Sequence, residues 1–299
     1  MDLDESKFGT LDVALTEYAE ELRGSGDQTA TVTLGYTHSL HKSWRTVLRM
    51  LPVAPGASVL DAGSGFGIVA FELAANLPVQ VDGIDVEASF VGHARELSQR
   101  LSDRGLFSQG SAVRFSEGDV RALGCPDEAY DLVLMREVLQ FVPGPVQAVQ
   151  EIYRAMQPGG YFCVSDTDDQ LRLTWPSGTA VLDGLVAAVA SVQRQRGGDR
   201  QTGRKLTTYL RAAGFELAGV VVLPEAQHRV VDADDPERSL IIEQIRAARS
   251  RVVGSGAMGP ERFDADLKAL EEAAPHEEFR MNAKIVALGR RPSSPTGRP

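Results

Sequence analysis

The chain is short of the residues that cross-link a fold or load it with metal. Among 299 residues there are two cysteines, Cys125 and Cys163. Two thiols at that spacing match no metal-ligand pattern and exclude a disulfide framework. Cys163 lies in an apolar, strand-like run, which marks it as a small core residue. Positive charge is also scarce: 31 Lys and Arg stand against 41 Asp and Glu, a formal net charge of -10. An acidic chain without a basic face is a poor polyanion binder, so nucleic acid is not an expected partner. Apolar runs are all shorter than a membrane span, and the N-terminus is acidic and amphipathic, unlike a secretory signal. The expectation is a cytoplasmic protein that does not engage membranes. Internal repeats and long low-complexity stretches are missing as well.

What the chain does have is a regular alternation of strand and helix patterns. Residues 1–50 read as a helical leader. Phe8, Leu11, Leu15, Tyr18 and Leu22 recur at helical spacing, and Gly24-Ser25-Gly26 ends that helix. A second helix, from about Leu40 to Leu51, runs into Pro52 and Pro55. Strands are predicted over Val59–Ala62, Val79–Ile84, Val113–Glu117, Tyr130–Met135 and Tyr161–Ser165. Helices are predicted over Ile68–Leu77, Ala88–Arg104 and Pro145–Met156. Repeated units of this length require a mostly parallel sheet covered on both faces. Beyond Asp166 come a helix (Ala180–Gln193), a charged loop (Arg194–Arg204), a helix (Leu206–Ala213) and a strand (Phe215–Leu223). A helical insert (Pro236–Ala274) and a last strand (Asn282–Leu288) follow. The predicted organisation is a leader or lid (1–50) and a core (51–292) with cap inserts at about 168–205 and 232–278. A frayed tail (293–299) ends it.

The most informative stretch is Ser58-Val59-Leu60-Asp61-Ala62-Gly63-Ser64-Gly65-Phe66-Gly67. An apolar run ends in an acid, three glycines follow at alternate positions, and an amphipathic helix begins. That is a strand, a tight turn and a helix N-terminus, where α/β proteins bind nucleosides. The spacing is not the G-x-G-x-x-G of dinucleotide enzymes, and a carboxylate at Asp61 repels a pyrophosphate while favouring a cation. Asp85, in Gly83-Ile84-Asp85, stands where an acid accepts both ribose hydroxyls; capping the next helix is its plainer role. Asp119, in Gly118-Asp119-Val120, is either an acceptor for an adenine amino group or an ordinary turn residue.

In combination these segments resemble the class I S-adenosylmethionine-dependent methyltransferases, in particular the small-molecule branch acting in specialised metabolism. Met156-Gln157-Pro158-Gly159-Gly160 and Met281–Pro292 are similar to that family's helix-to-strand connection and closing strand. The resemblance implies a Rossmann-like, doubly wound, mostly parallel sheet of seven strands with a helical cap. It also implies S-adenosylmethionine as cofactor and S-adenosylhomocysteine as product. Asp61 and the turn through Gly63, Ser64, Gly65 and Gly67 would hold the methionine portion, and Asp85 the ribose. Asp119 and Val120 would frame the adenine, with Ile84, Val86 and Leu134–Arg136 as walls and backbone acceptors.

Methyl transfer needs alignment, exclusion of water and, for some acceptors, removal of a proton. Glu137, just past the fourth strand, is a candidate base or ligand for a substrate cation; a salt bridge is its structural alternative. Tyr36 and His38 in the leader are further candidates, with His41 behind them. Trp175 and Phe141 are candidates for an aromatic pocket, though core packing explains both; Trp44 reads as a helix anchor and His228 is left open. Asp166-Thr167-Asp168-Asp169 is the nearest approach to a magnesium site, but it reads better as solvated or capping acids, so no metal is expected. The acceptor is read as a small molecule, aromatic or indole-like, methylated on carbon, nitrogen or oxygen. A homodimer is left open. A nicotinamide-dependent oxidoreductase and a non-catalytic cofactor-binding protein are the alternative readings.

Overall fold

The computed structural model describes residues 4–39, 41–176 and 180–293. Most of the tail expected to fray lies outside that range. The leader forms three helices: α1 (Glu5–Ser25), α2 (Gln28–Ser39) and α3 (His41–Met50). Asp4 caps α1 by accepting the Ser6 N–H, and Gly26 closes it with a φ of 83°. Helix α2 was not expected. Its sequence is rich in threonine and contains Gly35, all weak helix formers, so tertiary contact decides. Asp27 accepts the Ala30 N–H at its start, and Ala30 and Leu34 are buried.

The sheet is built from β1 (Ser58–Ala62), β2 (Gln80–Asp85), β3 (Ala112–Glu117), β4 (Tyr130–Arg136), β5 (Met156–Thr167), β6 (Leu173–Trp175), β7 (Glu216–Val231) and β8 (His276–Arg290). The order is β3-β2-β1-β4-β5-β8-β6, with β7 paired to β8. β1 to β5 run parallel, and β8 is antiparallel to β5, β6 and β7. Reversal of strand order about β1 places a crevice at the carboxyl ends of β1 and β4.

Among the described residues the sheet has eight strands, one more than the seven expected. The extra one, β6, is three residues long and too short to leave a periodic signal. β5 starts earlier than predicted because Pro158-Gly159-Gly160 is taken in as an irregularity of the β4–β5 ladder. β7 runs on through Pro224 to Val231, beyond the predicted end at Leu223. β7 pairs only with β8, so it is an edge strand, where a missing N–H costs no ladder bond.

Helices α4 (Ile68–Asn76) and α5 (Ala88–Asp103) cover one face of the sheet with the leader. Helices α6 (Pro145–Ala155) and α8 (Leu206–Ala213) cover the other. Helices α7 (Ala180–Gln195), α9 (Pro236–Gly254) and α10 (Pro260–Glu271) form a cap around a core of their own, with Leu185, Ile245, Val252 and Phe263 at its centre. The leader is tied to the sheet by charge. Buried Arg45 bonds Asp12 of α1 (2.6 Å) and Glu72 of α4 (2.6 Å), and His38 of α2 also meets Asp12 (3.1 Å).

Two outcomes follow. A Cβ at Gly83 would lie 2.3 Å from the Phe115 ring. Gly83→Ala is expected to destabilise the fold by about 1–3 kcal/mol, measured by urea denaturation. Removal of the Arg45 guanidinium takes a hydrogen-bonded cation from buried Glu72, whose carboxyl burial already pushes up to about 8. Arg45→Met is expected to cost on the order of 3 kcal/mol, and a wild-type midpoint would show that the leader is held by apolar packing alone.

Candidate functional site

The glycine turn is fixed from both sides. Gly63, Gly65 and Gly67 have φ of 76°, 52° and 79°, a region closed to most side chains. The N–H groups of Gly63 and Ser64 both donate to the Ile84 carbonyl at 2.8 Å. Gly65 N–H donates to one oxygen of Asp85 at 2.8 Å, and Glu87 N–H to the other at 2.9 Å. Asp85 therefore organises the turn and the start of α5, and its oxygens retain lone pairs facing outward. Gly63 and Gly67 are packed from behind by Val138 and Phe115. Nothing lies within 4 Å of where a Gly65 Cβ would be, so that side of the turn is open. Val86, at the edge of the same crevice, is 76% exposed although apolar.

Asp61, the penultimate residue of β1, is 3% exposed. Among the described residues its Oδ2 finds no hydrogen-bond partner, and neither does the buried Oγ of Ser64. Burial pushes the Asp61 carboxyl up to about 7; Arg136 opposes that rise and Asp85 adds to it. Orphaned acceptors of this kind, beside an open glycine turn, fit a cationic, hydroxyl-bearing ligand.

The third strand's outlet is more committed than its sequence suggests. Both oxygens of Asp119 are held by the Arg121 guanidinium, and Arg121 N–H adds a bond at 2.8 Å. Asp119 is thus the centre of a local turn with only its remaining lone pairs to offer. Val120 is 7% exposed and packs in the core beneath that turn.

On the other side of the crevice, β4 ends in Arg136 and Glu137. Glu137 adopts a φ of 58°, a strained value for a residue with a side chain. Its N–H donates to the Ser165 carbonyl of β5 at 2.9 Å. Its Oε2 accepts from Lys284 Nζ (2.9 Å) and Gln140 Nε2 (3.0 Å), while Oε1 is buried with no partner among the described residues. The salt bridge foreseen for Glu137 exists, with Lys284 of β8 as its partner. Arg136 Nη1 is likewise buried and unpaired among the described residues. Burial lowers the pKa of Arg136, against the pull of Asp61 and Glu137.

Several groups here escaped the sequence analysis. Gln140 is 3% exposed; its side chain meets Arg200 (3.1 Å), and its N–H donates to Asp166 (3.0 Å). Asp166, expected from the sequence to be a solvated or capping acid, is instead fully buried, and burial together with Glu137 raises its pKa well above the ordinary carboxylate value. Lys284 and Arg200 lie more than 60 residues from β4 in the sequence, and only the β5–β8 pairing and the cap loop bring them near. Nothing local in the chain announces them.

Other candidates fall elsewhere. The His38 ring, considered as a base, is engaged by Asp12 within the leader's ion cluster. The His41 side chain lies outside the described residues. Tyr36, on α2, is 38% exposed and does face the β4 and β8 charges. Phe141 and Trp175 are 58% and 71% exposed, so core packing does not account for them. Trp44 is 3% exposed, as a helix anchor should be. His228 sits on the exposed β7–β8 ribbon opposite Glu277. Asp168 is paired with Arg204 (2.7 Å) and Asp169 with Arg200 (2.7 Å).

The comparisons agree with this geometry. The family model of a methyltransferase domain matches residues 60–164, the span from β1 to β5. An uncharacterized 37.1 kDa protein in a transposon of Streptomyces fradiae is 30% identical over 184 residues, covering 60% of this chain and 50% of that protein. A ubiquinone/menaquinone biosynthesis C-methyltransferase of Hydrogenovibrio crunogenus is 29% identical over 164 residues, covering 52% of this chain and 62% of the relative. The chain thus spans less than two thirds of the length of either. The crystal structure of a putative methyltransferase from Bacillus halodurans superposes with a TM-score of 0.54 at 19% identity, covering 83% of this chain and 98% of that one. The matched methyltransferase domain is the part of the chain that carries the parallel strands and the glycine turn.

Proposed function

We propose that this protein transfers a methyl group from S-adenosylmethionine to a small-molecule acceptor. The observation that carries the reading is the buried, partnerless carboxylate oxygen of Asp61 beside an open glycine turn whose backbone Asp85 fixes. Asp61 would neutralise the positive end of the cofactor, the turn backbone would hold its methionine portion, and the outward lone pairs of Asp85 would take the ribose hydroxyls. Val86 would lie against the adenine, with Asp119 and Val120 shaping that end. The cofactor supplies a methyl carbon already activated by its sulfonium, which leaves as a thioether when the acceptor atom takes the methyl. The chain's own task is to align the acceptor, exclude water and receive a proton where the acceptor carries one.

Glu137 is the group placed to receive it. Its strained backbone aims a carboxylate from the end of β4, with Lys284 and Gln140 fixing one oxygen and leaving the other unpaired. The exposed rings of Phe141, Trp175 and Tyr36 support an aromatic or indole-like acceptor. The atom methylated is carbon, nitrogen or oxygen according to which position of that acceptor meets the sulfonium.

Three outcomes check this. Calorimetric titration with S-adenosylmethionine is expected to show binding that Asp85→Ala weakens at least tenfold with the fold intact; undiminished affinity in that variant would remove Asp85 from the site. The cationic cofactor favours ionised Asp61, so below pH 7 binding must expel its proton. Affinity is therefore expected to rise about tenfold from pH 6 to pH 8, with proton release visible in buffers of different ionisation enthalpy, and Asp61→Asn should flatten the profile. The ligand-free protein moves the other way: a carboxyl raised from 3.8 to about 7 loses stability as the pH climbs through that window. Finally, Glu137→Gln is expected to lower turnover by a factor of ten or more while cofactor affinity stays within twofold. Turnover equal to wild type would take Glu137 out of the proton transfer.

A further inference from the structure

Four cationic side chains of this acidic chain, drawn from separate elements, share electrostatic interaction with one phenol. Arg136 closes β4, Arg200 lies in the loop between α7 and α8, and Arg280 and Lys284 stand four residues apart on β8. Even spacing puts those last two on the same face of their strand. All four lie within electrostatic reach of the Tyr36 oxygen on α2. The acids nearby do not use up their donors. Lys284 meets Glu137, Arg200 pairs with Asp169 and gives Nη1 to Gln140, and Arg280 pairs with Glu237. Arg136 Nη1 and Arg280 Nε stay buried without an acceptor among the described residues, although Arg280 is only 6% exposed. Burial, with the like charges of Arg229 and Arg172, holds Arg280 down to about 10, a sign of local excess positive charge. Buried N–H donors left unmade cost about 1–3 kcal/mol each, a penalty that a bound oxyanion removes.

We propose that Tyr36, Arg136, Arg200, Arg280 and Lys284 form a subsite for an oxyanion, a carboxylate or a phosphate, carried by the methyl acceptor. This rests on the methyltransferase reading and names the acceptor's class. The placement separates the subsite from the cofactor's own carboxylate. β8 is three strands from β1 in the sheet order, about 14 Å at the usual strand spacing. An anion held on β8 and the cap loop is therefore far from the glycine turn and near the outlet of β4, where Glu137 waits. Arg136 alone stands between the two regions.

The test uses the full-length protein, alone and saturated with S-adenosylhomocysteine, titrated with benzoate, phenyl phosphate and benzamide in ligand-observed NMR. Either or both anions are expected to bind at least tenfold more tightly than neutral benzamide, and the tighter of the two identifies the anionic group. Arg200→Gln and Tyr36→Phe, which remove partly exposed groups, are expected to weaken anion binding at least fivefold and to leave S-adenosylhomocysteine affinity within twofold. Arg280→Lys, which keeps the charge, should retain binding where Arg280→Gln loses it. Equal affinity for benzamide and the anions, or anion binding unaffected by Arg200→Gln and Tyr36→Phe, would overturn the proposal. Anion binding without any affinity for S-adenosylhomocysteine would keep the subsite and sink the methyltransferase reading.

Discussion

The site depends on a single backbone arrangement: the turn after β1 is pinned to the end of β2. Two N–H groups of that turn share the Ile84 carbonyl and a third is held by Asp85. Each of these donors would otherwise need another acceptor. Because the turn is satisfied by its neighbour strand, its outer face is free to meet a ligand. The same bonds bring Asp85 close enough to Asp61 to disfavour the charge of the buried Asp61 carboxylate. A pocket with that electrostatic strain is better suited to a cation than to solvent.

Around this fixed centre the remaining parts differ in how they are held. The leader is held by buried charge, through Asp12, His38, Arg45 and Glu72. The three cap helices have their own apolar core. The cap loop reaches the sheet through polar bonds, with Gln193, Asp199 and Arg200 all meeting Gln140. Polar contacts of this kind break at lower cost than core packing, so the loop is the part of the crevice wall best able to yield to an acceptor.

Much of the parallel half was legible in the sequence because its signals are local. The glycine turn, the acids after β2 and β3, and helices such as Ala88–Asp103 each announce themselves within a dozen residues. What stayed hidden was settled by tertiary contact. Helix α2 forms despite weak propensity because Ala30 and Leu34 find a core. β6 exists because β8 offers an edge at Phe279–Met281. On the acceptor side, Glu137 was visible from its position, whereas Lys284 and Arg200 were not, since long-range strand order and a cap loop carry them there. The partner of His38 stayed hidden for the same reason: Asp12 is on another helix.

The left-handed backbone at Glu137 has a practical corollary for anyone who would redesign the chain. A stabilising substitution is most readily sought where an ordinary residue occupies a glycine conformation, and glycine at position 137 would relax that torsion. The relaxed chain would lose the anion that neutralises Lys284, leaving an ammonium in a half-buried wall with one fewer carboxylate to face. Robustness and activity thus compete for the same residue, and the gain in one would be read directly as a change in the other.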